Sequence, residues 1–330
     1  LTVLGLSKRL PNYWCKTEDL IDFYAEQFEI PEKVLDQIHR LGVKNRFFLR
    51  QLTEYDDSAI LDEQHANICT LVGRDSLKET MSPKSIDNLI VVSEIADYQT
   101  PGLASILVRS LGLSKFVKYF NLHGTACSSF PRVEELASKL PGNTLCIIDG
   151  CTSDIYQTAL QHVKGIEEKS QSWIRLMFGM LFGDGAAAFV YKHGINHNGY
   201  NISRHHHVVN LDKYDYQKAS VKLSNGFELS ASKNIIEKAL TYCDVVMAKA
   251  GIEDMYDYDK IILHTGSTKI IDAFKDRYDL TENQLWASYD VLENHGNTTG
   301  CSLPFVLKRS DDLVDKALMI GITMGFGLDI

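Results

Sequence analysis

The sequence predicts an α/β fold, on three observations. Short runs rich in Val, Ile and Leu alternate along the chain with longer segments whose apolar residues recur every three or four positions. At 330 residues the chain is long enough for two packed halves or one large α/β domain. Its 45% apolar and 23% charged residues are ordinary for a globular protein, and no apolar stretch reaches the roughly 18 residues of a membrane span.

The elements follow in order. Residues 1–6 are too short an apolar run for a signal peptide and read as a first strand. The lack of an initiator Met predicts a true N-terminus further upstream, and the expected compartment is the cytoplasm. Residues 17–28 open with Glu18 and Asp19 and place Leu20, Ile21, Tyr24 and Phe28 on one helix face. A second helix starts at Pro31 and ends before Gly42. Residues 88–95 read as a strand buried on both faces. Pro101 begins a helix with Leu103, Ile106, Leu107 and Leu111, followed by a strand near 116–122.

A helix with Val133, Leu136 and Leu140 comes next, then a strand at 144–148. The Phe182-Gly183-Asp184-Gly185 turn leads into a strand at 186–191. A polar stretch rich in Asn and His, 193–215, then divides the chain into residues 1–195 and 196–330. The second part carries a helix over about 231–250, a strand at 261–263, a helix from about 267, a helix at 301–309 and a strand at 317–324.

The formal charge of −9 excludes a general nucleic-acid binder but not an anionic thioester substrate. Arg40, Lys44, Arg46 and Arg50 are the densest basic cluster, and a solvated helix end and loop is favoured over a phosphate site for each. Seven cysteines without a CxxC pair fit free thiols in a reducing compartment, most of them small buried hydrophobes. His205, His206 and His207 are adjacent, so strand alternation separates their rings; a solvated loop is expected there, and no metal.

Three segments carry chemistry. Cys127 lies in Gly124-Thr125-Ala126-Cys127-Ser128-Ser129, where the serines suit a helix start and Pro131 is tolerated only in a first turn. A thiol there would feel the positive helix end and free backbone N–H groups, which favour a thiolate and could receive an oxyanion. A cysteine among small residues is more often packing, so context decides. His264 leaves the apolar run Ile261-Ile262-Leu263 at a sheet end; a core histidine bonded to backbone is the alternative. Asn297 lies between Gly296 and Gly300, either as a turn residue or as a carboxamide donating to a developing oxyanion. Thiol, imidazole and carboxamide together can hold an acyl thioester and stabilise an enolate beside it.

Ala126-Cys127-Ser128, Leu181-Phe182-Gly183-Asp184-Gly185-Ala186-Ala187 and Gly296-Asn297-Thr298 with Ser302-Leu303-Pro304 resemble, in order, segments of the ketoacyl synthase III family of thiolase-fold condensing enzymes. The likeness includes Leu4-Gly5-Leu6, Leu10-Pro11 and Glu18-Asp19-Leu20 at the start and Gly325-Phe326-Gly327 at the end. Val92 to Gly102 is also similar to type III polyketide synthases. The resemblance implies a five-layered αβαβα fold of two similar halves, usually a homodimer. It implies Cys127 as the nucleophile that accepts an acyl group from a coenzyme A or acyl-carrier-protein thioester. His264 and Asn297 would then bond the thioester oxygen of a malonyl-type thioester, whose enolate, formed by loss of carbon dioxide, attacks the acyl group to give a β-ketoacyl product. No permanently bound cofactor is implied, and an acyl carrier protein is a candidate partner. The Phe182–Gly185 segment would shape the sheet end near the acyl tunnel.

Departures qualify the substrate. Thr265-Gly266-Ser267 after the histidine is nearer the His-Pro-Gly-Gly of type III polyketide synthases than the Gln-Ala-Asn of ketoacyl synthase III. Leu328 stands where a glycine usually follows the closing Gly-Phe-Gly, so a truncated last strand is expected. Val91-Val92-Ser93-Glu94 resembles a string of hydroxymethylglutaryl-CoA synthases in which the glutamate is a general acid/base, and so does His264 with Lys269. That leaves Glu94 with a role in a condensation without decarboxylation, or as a plain strand-end residue facing solvent or a dimer partner. Acyl transfer from Cys127 to a hydroxyl or amine is a further alternative. A non-catalytic partner subunit of a condensing heterodimer would be expected to lose the nucleophile, whereas Cys127, His264 and Asn297 are all present.

Overall fold

The computed structural model describes residues 1–330 except 56–63, 98–99, 162, 164, 169, 195–198, 204, 210–217, 223–225, 231–233, 311–315, 324–326 and 330. The chain opens with β1 (Thr2–Arg9) and a hairpin of β2 (Tyr13–Lys16) and β3 (Asn45–Phe48) that encloses α1 (Thr17–Ala25) and α2 (Glu32–His39). Helix α3 (Gln64–Thr80), β4 (Asn88–Ser93), α4 (Leu103–Ser110), β5 (Lys118–Leu122), α5 (Ser129–Ala137) and β6 (Thr144–Asp149) follow. Then come α6 (Ser153–Leu160), α7 (Gln171–Leu181), β7 (Ala186–Lys192), β8 (Tyr200–Asn201), β9 (His207–Val209), β10 (Lys218–Lys222) and β11 (Gly226–Ser230). The chain finishes through α8 (Ile235–Ala250), β12 (Lys260–Leu263), α9 (Thr268–Arg277), α10 (Glu282–His295), α11 (Ser302–Arg309), β13 (Ala317–Thr323) and β14 (Gly327–Asp329).

Two sheets organise these elements. The first has the order β5-β4-β6-β7-β1-β8, with β5, β4 and β6 parallel and the rest antiparallel. The second has the order β12-β13-β14-β9, with only β12 and β13 parallel. Strands β4 and β6 are buried along their whole length, so alternate side chains must enter different cores. Leu89, Val91, Leu145 and Ile147 pack with Val72 of α3 and Leu107 of α4. Ile90, Val92, Cys146 and Ile148 pack with Phe130 and Val133 of α5 and with Leu303 and Val306 of α11. The second sheet repeats the alternation: Ile262 joins the α5 and α11 core, while Ile261 and Leu263 meet Cys243 and Val246 of α8 and Ile270 and Phe274 of α9. Helices, sheet, helices, sheet, helices give the five-layered αβαβα fold expected above.

Several expectations need correction. Helices α3, α6, α7 and α10 are absent from the periodicity reading. Arg46 and Arg50 are not solvated: Arg46 is fully buried and Arg50 nearly so. Arg46 donates to the Thr17 hydroxyl at 2.6 Å, and burial lowers its pKa to about 10. Arg50 pairs with Asp154 at 3.3 Å. Both guanidinium groups serve the fold because the β2–β3 hairpin lies against the body of the molecule. Lys44 is exposed and pairs with Glu293. All seven cysteines are buried free thiols. The closing Gly325 and Phe326 lie outside the described residues.

Candidate active site

Cys127 sits on a turn built by backbone geometry. Strand β5 ends at Leu122, a single 3-10 turn spans Ala126–Ser128, and α5 begins at Ser129 with Pro131 inside its first turn. Gly124 has φ +72° and Ala126 has φ +40°, a left-handed conformation that a residue with a Cβ adopts only when held there. Glu94, next after β4, does the holding: its Oε2 accepts from Gly124 N at 2.9 Å and its Oε1 from Ala126 N at 2.6 Å. His123 Nδ1 adds a bond to the Ser93 carbonyl at 2.5 Å. The Ser128 side chain does not cap the helix; the Ser129 hydroxyl instead donates to the Ala126 carbonyl.

The thiol itself is 4% exposed. Burial first, and the Glu94 charge second, push it well above the ordinary thiol range, against a smaller pull from its own backbone N–H. The sequence expectation of a helix-stabilised thiolate is therefore reversed. Desolvation outweighs the helix end, and the N–H groups of Gly124 and Ala126, just before the thiol, are taken by Glu94. Cys127 therefore rests as a thiol.

His264 follows β12 directly, its N–H donating to Ile320 O of β13 at 3.1 Å. The ring is fully buried, and neither Nδ1 nor Nε2 meets a partner among the described residues. Burial lowers its pKa to about 3, so the imidazole is neutral near pH 7. Asn297 is also buried, but its amide is oriented. Its Oδ1 accepts from Thr299 N at 2.9 Å and from the Ser302 hydroxyl at 3.4 Å, and Ser302 in turn accepts from the Thr265 hydroxyl at 2.9 Å. With Oδ1 fixed by donors, Nδ2 is left as the outward donor, and no described residue accepts from it.

Glycine contacts show how the segments converge. A Cβ on Gly300 would lie 2.4 Å from Ser129 Oγ, so the Asn297 turn rests against the residue two beyond Cys127. A Cβ on Gly321 of β13 would approach Ser128 and Pro131, and β13 is the strand that receives His264. Thr265, next to His264, reaches Asn297 through Ser302. Cys127, His264 and Asn297 therefore gather at one end of the two sheets, with Glu94 behind the Cys127 turn.

Phe182 bridges to Asn297 through Asn297 N to Leu181 O at 3.0 Å and Gly183 N to Asn297 O at 3.1 Å. Its ring stacks on Tyr156 at 4.2 Å. Burial, then the charges of Cys127 and Glu94, raise the Tyr156 phenol pKa. Asp184 ties the same turn down: it accepts from Thr152 N at 2.8 Å, Ser153 N at 2.9 Å, Leu49 N at 2.9 Å and the Ser153 hydroxyl. Sequence reasoning missed Tyr156, Thr265 and Ser302 as site residues. Ser302 had a signal in the Ser302-Leu303-Pro304 string and Thr265 in its place directly after His264, whereas Tyr156 had none. His205 pairs with Glu134 of α5 at 3.3 Å, away from this site.

Residues 220–330 match the family model described as chalcone and stilbene synthases, C-terminal domain. A β-ketoacyl-acyl-carrier-protein synthase III of Coxiella burnetii is 24% identical, with 88% of each chain covered. A type III polyketide synthase of Penicillium soppii is also 24% identical, over 100% of this chain and 94% of that one. The crystal structure of 1,3,6,8-tetrahydroxynaphthalene synthase from Streptomyces coelicolor superposes with a TM-score of 0.82 at 18% identity, over 100% and 97% of the two chains. Fold, motifs and relatives make the chain an acyl-transferring condensing enzyme of the thiolase fold. Within that class it is a homologue of ketoacyl synthase III and the type III polyketide synthases.

Proposed function

We propose that the enzyme catalyses decarboxylative Claisen condensation, with Cys127 as acyl carrier and His264 and Asn297 as the enolate-stabilising pair. Cys127 attacks the acyl thioester; its sulfur–carbon bond forms as the thioester C–S bond breaks, and the released thiol leaves with the proton. A malonyl-type thioester then loses carbon dioxide. The electron pair of the broken C–C bond becomes an enolate whose oxygen accepts from the His264 ring and Asn297 Nδ2. Attack on the acyl carbon forms the new C–C bond and breaks the acyl–sulfur bond, and the released Cys127 thiolate takes a proton from water to restore the resting thiol.

The observation that carries this reading is the buried His264 ring, neither of whose nitrogens meets a partner among the described residues, together with the Asn297 amide that Thr299 and Ser302 orient. Leaving buried polar groups unsatisfied costs on the order of 1–3 kcal/mol each, which a protein sustains where a ligand completes the bonds. A neutral imidazole and an oriented carboxamide suit an enolate oxygen better than they suit an acid–base exchange. Coenzyme A and acyl-carrier-protein thioesters both fit this chemistry as substrates. A homodimer is part of the proposal: β5 is the edge of the first sheet, and Phe116 (81% exposed) and Tyr119 (51%) lie at it, an edge that a second copy would cover. No helix among the described residues is long and apolar enough to cross a membrane, and we place the enzyme in the cytoplasm.

The test is malonyl-CoA decarboxylation in Asn297→Ala. The rate should fall by roughly 10²–10³-fold, as for loss of one oxyanion donor, while acylation of Cys127 proceeds normally. An undiminished decarboxylation rate would remove Asn297 from the mechanism.

A further inference from the structure

We propose that Glu94 is the positioning residue of the nucleophile turn, its carboxylate serving as the built-in anion of a backbone nest formed by Gly124 and Ala126. The nest is explicit in the backbone. Gly124 and Ala126 have φ +72° and +40°, Thr125 between them is right-handed, and the amides on either side of it point at one carboxylate. A left-handed alanine costs on the order of 1–3 kcal/mol, and two charge-assisted hydrogen bonds are of a size to offset it. The clamp is reinforced from below, since Ser93 bonds Asp149 at 2.8 Å and accepts His123 on its carbonyl. Glu94 therefore fixes the residue immediately before Cys127 and, through it, where the sulfur and its adjoining N–H face.

This placement separates Glu94 from an acid–base role. Each of its oxygens is already bonded to the turn, and its charge opposes ionisation of the thiol it positions. Two reactions of Cys127 should respond in opposite directions when that charge is removed. Alkylation by iodoacetamide needs only thiolate and no oriented partner. Acylation by a thioester also needs the sulfur and the oxyanion donors in register, where a misplacement of about 1 Å can cost 10²-fold.

The experiment compares the parent enzyme with Glu94→Gln, folding being checked by circular dichroism. In the amide variant, iodoacetamide alkylation of Cys127 should become several-fold faster at pH 8, its pH profile moving to lower pH. Acylation by acyl-CoA, followed by intact mass, should slow by at least about tenfold. Alkylation no faster than in the parent, or acylation undiminished, overturns the proposal; the second result is what an acid–base role confined to the condensation step would give. Glu94→Asp keeps the charge but loses the reach, so it should slow acylation without speeding alkylation, and it carries the test if the amide variant does not fold. The acylation arm rests on the function proposed above, whereas alkylation needs no acyl substrate. A parent enzyme that is never acylated would count against that function and leave Glu94 to be judged by alkylation alone.

Discussion

At the scale of single residues, His264 shows how burial selects a chemical role. Its folded pKa, about 3, lies below the roughly 6.5 of an unfolded histidine. Between those values the unfolded chain binds a proton that the native chain does not. The stability involved is complete above pH 6.5 and is lost as pH falls toward 3. His295, lowered to about 4 by burial and by Lys8, acts in the same direction; Asp184, raised to about 6 by burial, acts in the opposite one below pH 6. A difference measurement isolates His264. Between pH 7 and pH 5 the parent should lose roughly 2 kcal/mol more stability than His264→Asn, seen as a smaller fall in Tm for the variant. Equal falls would mean that His264 is not held neutral. The Ser302 relay is testable in the same way. Ser302→Ala removes one of the two donors on Asn297 Oδ1 and should slow malonyl decarboxylation several-fold with little change in Tm.

At the scale of elements, the turns matter more than the helices they join. Gly300 packs against Ser129 so closely that Gly300→Ala would push the Asn297 turn off the start of α5. Condensation should drop by at least about tenfold, because this contact sets the spacing of the two half-sites; an unimpaired variant would mean that the contact is loose. Asp184→Ala would strand three buried N–H groups, on Thr152, Ser153 and Leu49, and should cost on the order of 3 kcal/mol or more in denaturant unfolding. That network explains the Phe182-Gly183-Asp184-Gly185 string as a structural tie.

Such detail was only partly legible in the sequence. The strands β4, β6 and β12 announced themselves as unbroken apolar runs because both faces are buried. Helix α10 had a readable signature, Thr281 with Gln284 as a reciprocal capping box, yet its mixed surface hid the period. Arg46 and Arg50 misled because a basic run reads as surface until the hairpin that buries it is known. The inversion of the Cys127 environment was illegible for the same reason: residue order gives the helix end but not the depth of burial or the Glu94 clamp.

For the whole molecule, the layered fold is what brings residues from 94 to 302 to one place. Helices α5 and α11 share the central layer, so the turns before them, carrying Cys127 and Asn297, are neighbours although 170 residues apart in sequence. The exposed β5 edge predicts that sedimentation equilibrium will find a dimer, and that charge placed at Phe116 and Tyr119 will weaken it; a parent that sediments as a monomer would refute that. The central claim, however, is the covalent step at Cys127. It is tested most directly by intact-protein mass spectrometry after incubation with a panel of acyl-CoA thioesters, with Cys127→Ala alongside. The account predicts a mass gain of one acyl group, absent from the variant and discharged when malonyl-CoA is added. An adduct that persists in Cys127→Ala, or one that malonyl-CoA leaves untouched, would contradict it.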